Sequence, residues 1–248
     1  MVKQSIIFLG SKSIGYHCLE YLIAEKDNLQ LDIKGVLCNE TSNTTAKFNL
    51  RNLAEVHSIP VINSLHEMPE ADFLYSVQYH QILKEKDIAK AKKIALNLHM
   101  APLPDYRGCN QFSFAILDNK REFGTTIHKI DTRIDHGDIL FETRFAIPDN
   151  CWIQQLYDLT YDASLQLFKT TLKDIVNDNY SLTSQESLVA ERGTQLHYRN
   201  EINDMKNIDL NWEKEKIERH IRATSMPGFE PPYTITGDKK IYFSEQWQ

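Results

Sequence analysis

Asn97-Leu98-His99, followed by Leu103-Pro104 and Gly108 and later by Ile134-Asp135-His136-Gly137-Asp138, sets an amide, an imidazole and a carboxylate at the ends of segments that read as β-strands. These groups suit acyl transfer to an amine. Asn97 can donate a hydrogen bond to a developing oxyanion, His99 can give or take a proton, and Asp135 can hold the protonation state of the pair. The pattern leaves both roles of His99, general base and oxyanion donor, open. The apolar run Ile94-Ala95-Leu96 ends at Asn97, so Asn97 and His99 share one side of a strand end while Leu98 turns away. Pro102 and Pro104 interrupt regular structure and stiffen the loop beneath the site. Such chemistry requires no metal.

Each piece alone has an ordinary explanation. A strand-end His often serves structure, and Asp-x-Gly-Asp is a common turn because Asp caps it and Gly tolerates positive φ. Taken together, in order and spacing, the pieces resemble the folate-dependent formyltransferases, which carry Asn-x-His-x-Ser-x-Leu-Pro-x-x-x-Gly and a later Leu-Asp-x-Gly. The match consists of Asn97, His99, Leu103, Pro104, Gly108, Asp135 and Gly137, and it departs at Ala101, where Ser usually stands, and at Ile134. It covers roughly the first two-thirds of the chain. The resemblance implies Asn97, His99 and Asp135 as the catalytic triad and N10-formyltetrahydrofolate as co-substrate. It also matches Gln81, Ile82 and Leu83 to the loop that wraps the pterin, with Asp131 on the cofactor side. Ile82 and Leu83 fit an ordinary helix core face equally well.

Acceptor choice separates members of this family. Met100-Ala101-Pro102-Leu103-Pro104, then Arg107-Gly108-Cys109-Asn110-Gln111, and the tail from Ile217 resemble the sugar N-formyltransferases acting on dTDP-linked amino sugars. That resemblance implies transfer to a dTDP-4-amino-4,6-dideoxyhexose, with Arg107, Asn110, Gln111, Arg222, Met226 and Tyr233 on the acceptor. An Arg beside aromatics in a Pro-rich loop can hold a pyrophosphate and stack a base. The same tail could instead form only a dimer interface, and a homodimer is expected. The rivals are a methionyl-tRNA formyltransferase-like enzyme and a folate- or nucleotide-binding protein without turnover. The intact triad counts against the latter. Acidic balance (28 Lys plus Arg against 34 Asp plus Glu) and the short stretch after Asp135 count against an RNA acceptor, whose phosphates need basic clusters.

The elements that must position these residues alternate. Ser5–Leu9 reads as a strand closed by Gly10, Gly15–Ala24 as a helix, Leu31–Leu37 as a strand, Phe48–Val56 as a helix and Phe73–Val77 as a strand. A helix over Lys84–Lys93 is expected before the strand at Ile94, and strands over Gly124–Ile130 and Ile139–Ile147 flank the Asp135 loop. A long helical stretch, Trp152–Val176, follows, then Glu191–Arg199 and the tail, where Ile217, His220, Ile221 and Thr224 keep helical spacing until Pro227 and Gly228. The fold class expected is α/β, a doubly wound, mostly parallel sheet over a catalytic core of 1–180, with a small C-terminal α+β appendage at 181–248. Ligands of such sheets sit beyond the carboxyl ends of the strands. Gly10-Ser11-Lys12-Ser13-Ile14-Gly15 lacks both the phosphate-loop Lys-Ser/Thr and the dinucleotide fingerprint, so tight turning is taken to explain its glycines.

A chain of 248 residues can bury a full core. No run approaches the roughly 20 apolar residues of a membrane span. Cys18, Cys38, Cys109 and Cys151 form no Cys-x-x-Cys, and Met1-Val2-Lys3-Gln4 leads into a strand without signal-peptide features, so a cytoplasmic protein is expected.

Overall fold

The structure, a computed structural model, describes residues 3–39 and 47–243. Residues 244–248 of the expected tail lie outside them. The first half alternates: β1 (Gln4–Gly10), α1 (Lys12–Glu25), β2 (Leu31–Leu37), α2 (Leu50–Val56), β3 (Val61–Ile62), β4 (Ala71–Val77), α3 (Glu85–Ile88) and β5 (Ala91–His99). Then come β6 (Tyr106–Gly108), α4 (Gln111–Leu117), β7 (Glu122–Lys129), β8 (Ile139–Ala146) and the long α5 (Ile153–Val176). The remainder holds α6 (Glu186–Arg192), β9 (Gln195–His197), a 3-10 turn (Arg199–Glu201), α7 (Ile202–Met205), α8 (Lys214–Thr224) and the hairpin β10 (Tyr233–Thr236) and β11 (Lys239–Tyr242).

The main sheet runs β3-β2-β1-β4-β5-β7-β8. Its pairings are parallel from β3 through β5, while β7 and β8 join antiparallel. This is the doubly wound, mostly parallel sheet expected from the alternation. Side chains alternate across it: Ile6, Phe8, Phe73, Tyr75, Leu96 and Leu98 enter the largest core with α1 and α5, whereas Ile7, Leu9, Leu74 and Ala95 enter a smaller one on the other face. Helix α5 carries Thr160, Thr170 and Thr171, each costing a few tenths of a kcal/mol in propensity. Full burial of an apolar side chain such as Phe168 or Leu172 is worth about 1.5–3 kcal/mol, so packing decides the helix.

Four local expectations change, the first being the expected Glu191–Arg199 element, which divides into the end of α6, strand β9 and the start of the 3-10 turn, because Gln195–His197 pair with β6. The Lys84–Lys93 helix shrinks to α3, because Ala91 already pairs with Ala71 and the sheet claims Lys92 and Lys93 as the exposed start of β5. Helix α2 starts at Leu50, where Asn49 caps it by accepting from the Asn52 N–H at 3.0 Å. The first turn does not rely on glycine for positive φ; Lys12 takes that conformation (φ 61°). A Cβ on Gly10 would instead strike Phe8 and Leu50, so that glycine serves close packing.

Residues after 180 fold back on the sheet. Thr183 bridges Ile139, β9 pairs with β6, and Gln185 is buried against the Asp135 loop. Helix α8 packs on α4 through Ala223, and Met226 joins the same third core.

Candidate active site

Strand order reverses between β1 and β4, which opens a crevice at their carboxyl ends. A cavity of about 840 Å³ occupies it, lined by Ser11, Lys12 and Ser13 after β1, Gln78, Tyr79 and His80 after β4, and Asn97 and His99 of β5. Asp135, Gly108, Phe48 and Arg199 complete the parts that matter below.

Asn97 and His99 lie on the same side of β5, and Leu98 between them is buried in the opposite core. Asp135 reaches both: Asn97 Nδ2 donates to Oδ1 at 3.4 Å, and His99 Nδ1 stands 3.6 Å from Oδ2. The other ring nitrogen of His99, Nε2, meets the carbonyl oxygen of Tyr106 at 2.8 Å and therefore carries a hydrogen. Nδ1 is thus the ring nitrogen left facing the carboxylate. Burial alone would raise the Asp135 pKa. The charges of His99 and His128, a hydrogen bond from His128 and the Gly108 N–H at 3.0 Å outweigh it, holding the carboxyl well below the usual carboxylate range.

The loops are pinned by groups that the motif does not contain. Ala101 lacks the hydroxyl usual at that place in the motif. The hydroxyl of Thr126 donates to the Ala101 carbonyl at 2.9 Å and accepts from the Leu103 N–H at 3.2 Å. Asp135 sits at φ 46°, and a Cβ on Gly137 would fall on the carbonyl oxygen of Lys129, so glycine is required there. His128, 2% exposed, places Nε2 at 3.1 Å from Asn97 Nδ2 and 3.5 Å from Asp135 Oδ1.

The other residues singled out in the sequence are spread more widely. Gln81 and Ile82 are exposed beside His80 without lining the cavity, and Leu83 is buried in the smaller core. Asp131 accepts from the Arg133 N–H and faces His136 at 3.4 Å. Arg107 donates twice to Gln185, Asn110 donates to the carbonyls of Tyr198 and Arg199, and Gln111 is buried at the start of α4. Arg222 lines smaller cavities of about 210 and 260 Å³ with Asn150 and Glu218, not the Asn97 cavity. Met226 packs in the third core, and Tyr233 lies on the hairpin under Lys240.

Sequence reasoning missed Lys12, Phe48, Tyr79, Arg199 and His128. Lys12 and Tyr79 stand just past the carboxyl ends of β1 and β4, so the rule that located Asn97 could have found them. Burial, then the positive charge of Arg199, pushes the Lys12 ammonium below its ordinary pKa. An anion between the two would relieve that repulsion.

A model of the formyl transferase family matches residues 22–172. A GDP-perosamine N-formyltransferase from Brucella melitensis is 29% identical over 175 residues, 70% of this chain and 64% of the relative. This chain thus aligns with somewhat less than two-thirds of that relative's length. A methionyl-tRNA formyltransferase from Staphylococcus epidermidis is 26% identical over 96% of this chain and 78% of its own. The solved structure of an N-formyltransferase from Helicobacter canadensis, in complex with folinic acid and dTDP-3-aminofucose, superimposes with a TM-score of 0.78 at 25% identity, over 97% of this chain and 86% of that one.

Proposed function

Because this chain belongs to the formyl transferase family, we propose that it moves the formyl group of N10-formyltetrahydrofolate to the amine of a nucleotide-linked amino sugar, a dTDP-4-amino-4,6-dideoxyhexose. The observation that carries this reading is the cluster of Asn97, His99 and Asp135 at the floor of a cavity with cations at its lip.

The neutral amine attacks the formyl carbon, forming the new C–N bond and a tetrahedral oxyanion. Asn97 Nδ2–H and a protonated His99 Nδ1 are the donors for that oxygen, or His99 Nδ1 takes the amine proton as base. Asp135 keeps its charge and steadies His99 in either case. Collapse returns the carbonyl, breaks the bond to N10 and sends a proton to the departing nitrogen. The donor's pterin lies against the loop at 78–82, where backbone polar groups and the exposed Ile82 suit a flat ring with amide-like edges. The acceptor's diphosphate lies between Lys12, Lys47 and Arg199 rather than on Arg222, since those three line the same cavity as the triad. The hairpin leaves Ile235, Ile241 and Tyr242 exposed, an apolar patch that supports a homodimer.

The deciding experiment is incubation with the formyl donor and a panel of dTDP- and GDP-linked amino sugars, with charged initiator tRNA alongside, read by mass spectrometry. A formylated dTDP-sugar supports the reading. Formylation only of the tRNA replaces it, as the alignment with the Staphylococcus enzyme over most of the chain would then require.

A further inference from the structure

Asn110 does not line the triad's cavity, although Cys109 before it and Arg199 do. At the start of α4 its backbone takes the left-handed conformation (φ 60°), which Asn accepts more readily than most residues. Its Nδ2 lies 3.0 Å from the Tyr198 carbonyl oxygen and 3.1 Å from that of Arg199. A carbonyl oxygen carries no hydrogen, so the atom facing both is the NH₂ nitrogen, with one N–H for each. The place of these two bonds in the chain gives them their weight. The β6–β9 ladder ends at His197, whose ring stacks on Phe114 of α4 with centroids 3.5 Å apart. Beyond it, Glu201 accepts from the Tyr198 N–H at 2.9 Å and donates its own N–H to the Tyr198 carbonyl at 3.2 Å. Those contacts close the 3-10 turn on itself and do not set where it sits. Asn110 ties it to α4. Among the described residues no hydrogen bond or ion pair holds the Arg199 guanidinium, so the backbone aims it into the cavity it shares with Lys12.

We propose that Asn110 is a positioning residue that acts through Arg199: its two N–H groups fix the Tyr198–Arg199 backbone and with it the cation that takes the acceptor's diphosphate. This rests on the formyl-transfer reading above. It replaces the direct acceptor contact that the resemblance implies for Asn110, since both of its donors are already engaged. Without the tie, Arg199 leaves the lip. That loss of binding is remote from the reacting carbon and falls on the acceptor KM.

The test compares Asn110→Gly, which keeps the left-handed backbone and removes the amide, with Asn110→Asp, which turns carboxylate oxygens toward the two carbonyls, each alone and with Arg199→Ala. Both single variants are expected to raise the acceptor KM about 10-fold, with kcat and the donor KM within about 3-fold of the parent. On the Arg199→Ala background neither should raise it further, because the group that Asn110 positions is already gone. Increases that multiply with Arg199→Ala would mean that Asn110 touches the acceptor itself, and would overturn the proposal. An acceptor KM within about 3-fold of the parent in the single variants overturns it as well, and so does a fall in kcat with both KM values rising together. Should Asn110→Gly not fold, Asn110→Asp carries the same comparison. Hydrogen–deuterium exchange of the Arg199–Glu201 turn gives a readout without substrate. Exchange faster than the parent's is expected in both variants; equal exchange overturns the proposal. A parent enzyme that formylates no nucleotide sugar sinks the functional reading instead, while the exchange comparison still decides whether Asn110 holds the turn.

Discussion

Gln185 donates its side-chain amide to the carbonyl oxygen of Asp135 at 3.0 Å, across fifty residues of sequence, and to that of Gly137 at 2.8 Å. Its oxygen accepts from Arg107 at 2.9 and 3.1 Å, so one buried amide ties β6, the Asp135 loop and the start of α6 together. Gln185→Ala leaves these groups without partners, at about 1–3 kcal/mol for each buried one. A lower Tm and a kcat at least about 10-fold down are expected, with Asp135 no longer held against His99. Thermal melts and steady-state kinetics on the same samples check this.

Asn97→Ala removes the amide donor and should reduce kcat by about 10²–10³-fold while both KM values hold. Near-normal turnover in this variant would end the oxyanion role.

The lip cations should act on the acceptor alone. Loss of a charge-assisted contact of about 1.5–3 kcal/mol from Arg199→Ala raises the acceptor KM roughly 10–150-fold and leaves the donor KM close to normal. Arg222→Ala should change neither KM. Titration calorimetry with dTDP on both variants separates the lip from the tail; weakened binding in Arg222→Ala alone would return the nucleotide to the tail.

Asp135 supplies a pH dependence whose sign is set by its lowered pKa. An unfolded Asp titrates near ~3.9. Its contribution to stability is therefore fully present above that value and is lost as pH falls below it toward the lower folded pKa. Asp135→Asn should be less stable at neutral pH, with a shallower loss between about pH 4 and 2. Acid titrations followed by circular dichroism report the two slopes, and parallel curves would show that Asp135 is not linked to folding.

Gly137→Ala drives a methyl onto the Lys129 carbonyl. Overpacking of this kind typically costs about 1–3 kcal/mol. Here it also displaces Asp135 two residues away, so kcat should fall with Tm; an unchanged kcat would mean the loop shifts without moving the carboxylate.

Local chemistry wrote much of this protein into its sequence. The alternation of short apolar runs with helical periods specified the parallel α/β sheet, because burial on both faces of a strand and one face of a helix leaves different spacings. Asn97 and His99 were legible for the same reason: a period of two puts them on one side, just where an apolar run ends. Asp135 was legible only through the joint pattern and the resemblance it carries, because an Asp-x-Gly turn alone has an ordinary local explanation. What the sequence could not carry are the pairings that arise only when distant segments meet. His128 reads as one more residue of a strand until β7 lies beside β5 and brings its ring to Asn97. Lys12 and Arg199, far apart in the chain, face one cavity only because the segment after 180 folds back through β9 onto β6. The Lys84–Lys93 stretch shows the same limit in reverse: its first half stays helical as α3, but Ala91–Lys93 became a strand because hydrogen bonds to β4 outweigh a propensity of tenths of a kcal/mol per residue. Arg222, read from its neighbours as part of an acceptor site, lies on a helix whose packing against α4 turns it toward other cavities. Spacing along the chain fixes which face a side chain takes, but only the packing of the elements fixes what that face meets.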